Sequence, residues 1–569
     1  MRAPDPRVLA VARGDEPADL LITGGRVFAP ATREWVPTAL AIAGGVVAGW
    51  GERDARAIVD VGGAALTPAF VDAHMHLEST KLWVDEFVRA VLPHGTTAVA
   101  ADPHELANVL GVPGVTALMA AAAPLPFTFG VYAPSCVPAS AFESAGAALD
   151  HRDVRALVEQ HGAIGVAELM NFPGVIGGDP EMLARLAAAG DRRADGHAPG
   201  VVGRALDAYL AAGVESDHEC TRAEEALERR RKGMWVFIRE GSASRNLAAL
   251  IGDVIERGPS LAALCTDDRE PDGLLRDGHI NHCARLAAAA GVPDEDVLLL
   301  ACTHPARYHG FTHLGDLGPG RQADVLSFAE LGSWRPDRVW QAGRLVAAGG
   351  VLEPGAVPDA PVPGLLRGTV HLGATPDAAA LGPERAAGTR VRAVGVIERS
   401  ISTRACEVVL GEDDVARAAV VERHRGTGRV GTGYATGFGL RRGALASTVA
   451  HDAHNVVVVG ALDADGPRDM AVAVARLAEL GGGQVAVVDG EVAAEVPLPL
   501  AGLMSDRPAA EVAERCRALN AAAAGALGVT IEEPFMQLSF IALSVIPELR
   551  ITDGGLVDVR RFERVPVEL

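Results

Sequence analysis

Between residues 20 and 66 short apolar runs alternate with glycine turns, at 20–22, 26–28, 39–43 and 46–50. Such runs, bounded by glycine, predict a small β unit. The rhythm changes at Thr67. Eight short apolar runs now read as strands, at 69–73, 97–101, 127–132, 164–167, 193–196, 214–216, 235–238 and 262–265. Stretches of helical period follow most of them, as at 82–91, 201–212 and 224–232. Eight strand–helix units in about 250 residues have the size and rhythm of a (β/α)8 TIM barrel.

β signals return at 314–328 and 338–348, so the β unit reads as a small sandwich split by the inserted barrel. Residues 354–363, rich in Pro, Ala and Gly, read as a linker. Beyond Leu366, strand runs at 391–397, 456–459 and 485–488 and helical patterns at 470–480 and 508–524 predict an α+β domain. The expected class is therefore α/β, with this division: 1–66, first part of the sandwich; 67–311, barrel; 312–362, second part of the sandwich; 363–569, C-terminal α+β domain.

Composition narrows the partners. Of 569 residues 49% are apolar and 22% charged, a globular composition. A formal charge of −21 repels phosphate backbones and anionic lipid, so neither nucleic acid nor membrane is expected as a partner. Residues 1–10 lack a basic-then-apolar leader pattern, and no apolar run approaches the ~20 residues that span a bilayer. The seven cysteines stand singly, without a CxxC pair, which points to a reduced, cytoplasmic protein.

Polar residues cluster just after the predicted strands, where barrel active sites form. Asp72-Ala73-His74-Met75-His76-Leu77-Glu78 follows the first strand, and in extended chain His74, His76 and Glu78 project together. Glu168 follows the fourth strand, His197 the fifth, His218 the sixth and Asp267 the eighth. A lone HxH is weak evidence, but six such residues at the ends of five strands make a site for one or two divalent cations. Other motifs fail: His76-Leu77-Glu78 lacks the PCxxC of the zinc nucleobase deaminases, and Gly95-Thr96-Thr97 lacks the GK[ST] of a phosphate loop. His451, Asp452, His454 and Asn455 read as a structural turn ahead of a strand, with a contribution to the barrel mouth as the functional alternative.

HxH after strand one, an acid after strand four, His after strands five and six and Asp after strand eight resemble the amidohydrolase superfamily. More narrowly the chain is similar to the bacterial adenine deaminase family. DAHMHLEST, VLPHGTTAVAADPHELANV, GVAELMNFPGV, DGHAPG, SDHEC and CTDDREPDGLLRDGHI carry the likeness in the barrel, STVAHDAHNVVVVG and FMQLSFIALSVIPELRITDGGLVDV in the last domain. The likeness spans nearly the whole chain. It departs at Thr80-Lys81, where the family usually has Ser-Met, and at Asn281, where Asp is usual.

The resemblance implies hydrolysis of adenine to hypoxanthine and ammonia by a hydroxide held between two divalent cations, manganese or ferrous iron, with zinc as the further option. The implied metal ligands are His74, His76, Glu168, His197, His218 and Asp267. Glu168 would bridge the ions; the only two lysines, Lys81 and Lys232, lie in the first barrel loop and a basic run, away from that position. Asp267, a ligand with a free oxygen, would carry the proton from water to the leaving amine. Glu219 is a further catalytic candidate, Glu78, His104 and Asp268 are candidates for purine contact, and Glu105 is a second-loop candidate. A homo-oligomer is expected. Two other readings stay open: a cyclic-amide hydrolase of the dihydroorotase or imidazolonepropionase type, and a catalytically silent metal-binding scaffold.

Overall fold

The alternating runs of the first segment fold as antiparallel strands, Leu20–Ala29, Glu34–Ala43 and Val46–Trp50. The computed structural model describes residues 5–242, 244–382, 385–411 and 414–569; positions 1–4 of the segment read for a leader lie outside them. Strand Ala65–Pro68 runs parallel to Leu20–Ala29 and pairs antiparallel with Val325–Phe328 from far along the chain. Arg338–Gln341, Arg344–Ala348 and Val351–Leu352 continue the same nine-stranded sheet. This seam fixes Pro68 and the strand that follows it.

Eight short strands then succeed one another: Phe70–Met75, Thr96–Ala101, Thr128–Val131, Gly165–Leu169, Arg193–Gly196, Ser216–Asp217, Trp235–Arg239 and Ala262–Cys265. All their ladders are parallel, joining the first three, the fourth to the fifth, and the last three. A bridge between Ala133 and Val166 links the third to the fourth. The Glu215 amide, donating to the Ala194 carbonyl at 3.0 Å, links the fifth to the sixth. A bridge between Met75 and Asp267 returns the eighth to the first. The eight strands thus form a closed ring, and every strand end carries its next residues to the same rim. The opposite end is filled by Tyr308 and His309, whose polar atoms reach Asp195, Tyr132 and the Ala73 carbonyl.

The sequence showed no apolar run near bilayer length, yet helix His104–Ala122 is long and apolar enough to cross a membrane. Its backbone leaves helical geometry at Gly111 (φ 64°, ψ −154°), and 67% of its most apolar window is buried inside the protein. Its apolar surface serves the layer packed around the ring.

The C-terminal region is built on an eight-stranded sheet in the order Thr403–Val409, Arg390–Val396, Val430–Thr436, Val415–Val421, Val456–Gly460, Ala444–Ser447, Gly483–Val488, Glu491–Pro497. Five of these strands escaped the sequence reading. Runs such as Val-Ala-Arg-Ala-Ala-Val-Val at Val415–Val421 offer no clean period, because alanine serves helix and strand alike. Successive valines of Val456–Gly460 point to opposite faces. Val456 and Val458 pack with Met470, Val474 and Leu477 of helix Gly466–Leu480, while Val457 and Val459 belong to the core shared with Leu538 and Ile541. The second face brings helix Pro534–Phe540 and the turn at 449–455 onto the rim of the ring. Docking is tight: the Ser505 amide donates to the Lys81 carbonyl at 2.8 Å, and the Trp83 amide donates to the Ser505 carbonyl at 3.1 Å.

Candidate active site

The first strand is held from below. Asp72 accepts from the His74 and Thr266 amides at 3.1 Å each, from Thr266 Oγ1 at 2.5 Å, and faces His279 Nε2 at 3.1 Å. That anchor joins strands one and eight and aims His74 and His76 upward. His76 Nδ1–H donates to the Asp102 carbonyl at 2.9 Å, which turns Nε2 toward the rim. Asp267 takes a left-handed backbone (φ 58°), rare outside glycine, directly after strand eight.

At the rim, the six residues that the sequence singled out as ligands come together. Glu168 Oε2 lies 2.6 Å from His197 Nδ1 and 3.2 Å from His218 Nε2; its Oε1 lies 3.4 Å from His76 Nε2. Asp267 Oδ1 is 3.2 Å from His76 Nε2 and 3.7 Å from His74 Nε2. The His74 and His218 rings stack 4.0 Å apart. All six are buried. Burial, with His218 and His76 adding repulsion, holds His74 well below the usual imidazole range, so it presents a neutral ring. For Glu168 burial favours the acid form, but His197 and His218 outweigh it and hold the carboxyl well below its ordinary range. At Asp267 burial is likewise outweighed, by Arg239 and then His76.

A divalent cation fits this cluster. His74 Nε2 and His197 Nε2 are buried without a hydrogen-bond partner, whereas buried polar atoms are ordinarily satisfied. Ligand atoms of His74, His76 and Asp267 lie within 4.8 Å of one another, and so do those of His74, Glu168 and His218. The donor set is imidazole and carboxylate without thiolate, which suits first-row divalent ions.

Around the cluster the sequence-derived roles divide. Asp268, Glu219 and His104 line the cavity over the rim. Glu78 does not: its Oε1 accepts from the Leu106 amide at 2.9 Å behind the wall, and burial, then Glu105, push its carboxyl up to about 8. Nor does Asp267 keep the free oxygen expected of it, because Oδ2 accepts from Arg239 Nη1 at 2.7 Å. Arg239 is the main residue that sequence reasoning missed. It also grips both oxygens of Glu219, with Nη2 donating to Oε2 at 2.8 Å, and Nε donates to Asn246 Oδ1 at 2.7 Å. The signal was available: Arg239 ends strand seven, the only late strand given no rim residue, and the expected strand stopped one residue short of it.

The turn at 451–455 is a second correction. His451 and Asp452 reach the cavity, with Ile401, Phe540 and Leu543 completing an apolar roof from the C-terminal region. The functional alternative to a plain turn is the arrangement found, because the sheet's second face packs against the ring.

Comparison with known proteins bears on the whole arrangement. Residues 65–346 match the amidohydrolase family and residues 396–563 the adenine deaminase C-terminal domain. Adenine deaminase 2 of Carboxydothermus hydrogenoformans is 42% identical, with 99% of each chain covered. The chain belongs to the adenine deaminase family. Other members with similar likeness include adenine deaminases of Cereibacter sphaeroides (44% identical; 97% of this chain, 98% of that one) and Methanothrix thermoacetophila (43%; 98% and 99%). Among solved structures, an adenosine deaminase from Xanthomonas campestris covers 59% of this chain and 95% of its own at 19% identity, with a TM-score of 0.43. Family membership accounts for the presence of both parts of the cavity, rim and roof, in one chain.

Proposed function

We propose that this family member hydrolyses adenine to hypoxanthine and ammonia at the rim of the ring, and that the ring is a (β/α)8 barrel of the TIM type inserted in the split N-terminal β unit. The observation that carries the reading is the meeting of six ligand-type side chains with a roof supplied by the adenine deaminase C-terminal domain. His74, His76, Glu168, His197, His218 and Asp267 would hold two divalent cations, manganese or iron before zinc, with Glu168 shared between them. Cations bound there would supply Lewis acidity and bring water toward ionisation near neutral pH.

The chain's own residues would do the rest. Asp267 receives the proton as water adds to C6 of the purine. Arg239 favours the ionised form of Asp267, so the gained proton is readily passed on, to the amino group that leaves as ammonia when the C6–N bond breaks. Asp268, with one oxygen on Ser79 Oγ, faces the cavity and is the carboxyl proposed to contact the ring nitrogens. Glu219, gripped by Arg239 at both oxygens, positions rather than donates. The ring of His104 walls the cavity.

The test is direct. Purified protein reconstituted with Mn2+ is given adenine, dihydroorotate and imidazolonepropionate, and hypoxanthine, ammonia and ring-opened products are followed by chromatography. Stoichiometric hypoxanthine and ammonia are expected from adenine alone. Ring opening of a cyclic amide without adenine turnover would overturn the assignment.

A further inference from the structure

The apolar roof of the cavity comes from two segments far apart in sequence. Ile401 lies between strands Arg390–Val396 and Thr403–Val409, and Phe540 and Leu543 lie at and just beyond the end of helix Pro534–Phe540. The three side chains share one apolar cluster with Met536 and Ile546. The Phe540 ring also stacks on His451, with ring centroids 5.3 Å apart. Apolar contact is non-directional, so it holds the two segments together without fixing how one stands to the other.

A directional tie comes from Arg550, in strand Leu549–Thr552, whose side chain does not line the cavity. The residue is fully buried, at 0% exposure. Its Nε donates to the Ile546 carbonyl at 2.7 Å and its Nη1 to the Phe540 carbonyl. Its Nη2 donates to the Ile401 carbonyl at 2.7 Å and to the Pro547 carbonyl at 3.2 Å. One planar group therefore holds the backbone of both roof segments. The same strand adds a second strap, where the Ile551 amide donates to the Ile541 carbonyl at 2.9 Å.

This is an expensive way to hold a loop. All four donations go to neutral carbonyls, and burial, opposed by Asp452, brings the guanidinium down to about 9. An apolar side chain of similar volume would fill the space without burying a charge. What it could not do is meet carbonyls converging from residues 401, 540, 546 and 547, for which the rigid fork of N–H donors is suited.

We propose that Arg550 is a positioning residue for the adenine pocket: by tying the Ile401 and Phe540 carbonyls to one guanidinium it fixes the roof at the spacing of a flat purine base. It thereby sets affinity and size selectivity and leaves the chemical step to the rim. The inference rests on the adenine reading of the cavity.

Arg550→Met and Arg550→Lys, as full-length protein loaded with Mn2+, are compared with the wild type by initial rates of ammonia release from adenine and from 9-methyladenine, with bound metal counted on the same samples. In the Met variant KM for adenine should rise about tenfold while kcat stays within about threefold, the signature of lost binding common to ground and transition states. The preference for adenine over 9-methyladenine in kcat/KM should fall about tenfold as the roof loosens. Lysine keeps the charge but not the planar fork, so Arg550→Lys should fall between the two. A purely structural role would lower the active fraction, and hence kcat, with KM and the preference unchanged; that result in both variants, beside an active wild type, overturns this inference alone. If neither variant folds, crystals of the Mn2+-loaded wild type with hypoxanthine decide: a base in van der Waals contact with Ile401 and Phe540 supports the proposal, and a base bound away from both overturns it. A metal-loaded wild type that releases no ammonia from adenine overturns the adenine reading and this inference with it.

Discussion

Replacing Arg239 by Met keeps much of the side chain's length but removes its charge and its four N–H donations. Glu219 and Asp267, 2% and 4% exposed, would then lose the cation that compensates them. Breaking a buried charge pair by removing one partner costs about 3–5 kcal/mol. The three donations to carboxylates, at about 1.5–3 kcal/mol each, are enough to account for that range. Metal ions at the rim would compensate Asp267 in part, which sets the expectation at the lower end, about 3 kcal/mol. Since 1.36 kcal/mol is tenfold in rate, kcat/KM for adenine should fall by about two orders of magnitude. Lysine restores a point charge but not the fork that holds Glu219 at both oxygens, so Arg239→Lys should recover about one of those orders. Initial rates of ammonia release, with bound Mn2+ counted on the same samples, read the effect. A Met variant within threefold of wild type at full metal content would refute the reasoning, as would a Lys variant no better than Met.

Glu168→Gln should lose at least one of the two rim ions per chain; retention of both in metal analysis would remove Glu168 from the bridging role. Asp267→Asn should keep much of its metal while turnover drops by orders of magnitude, and near-normal turnover would end the proton-carrying role. Adenine should release ammonia and adenosine should not do so appreciably, because Ile401, Phe540 and Leu543 roof the cavity; comparable rates on the two would exclude a base-sized pocket. At the closed end of the ring, His309 Nε2–H donates to the Ala73 carbonyl and Nδ1 accepts from Tyr132, and burial drops the imidazole to about 3. The unfolded chain protonates this histidine near 6.5 and the folded one only near 3, so its contribution is intact above 6.5 and is lost as pH falls through that interval. Thermal midpoints should therefore decline from pH 7 to pH 4, less steeply in His309→Gln; parallel curves would show that His309 is not the group responsible.

Much of the rim was legible because a parallel strand delivers its next residues to a fixed place. Once eight strands are counted, His74, His76, Glu168, His197, His218 and Asp267 follow from position alone, and all six are found together. Arg239 was missed through a boundary error of one residue at strand seven. Glu78 was misplaced because two-residue periodicity holds only in extended chain, and the backbone turns into a short 3-10 helix at Glu78–Thr80. Asp267 was read as having a free oxygen because its partner, Arg239, lies 28 residues away along the chain.

The sequence by itself determined which chemistry the chain can carry: local patterning sets the strand–helix rhythm, and the residue types at strand ends set the ligand chemistry. Tertiary structure alone decided what closes the cavity. Val456 and Val457 look identical in sequence, yet one faces helix Gly466–Leu480 and the other the core continuous with the ring. Which face of a sheet docks depends on surfaces hundreds of residues apart, so the arrival of His451 and Asp452 beside His104 is a fact of packing that no local pattern encodes.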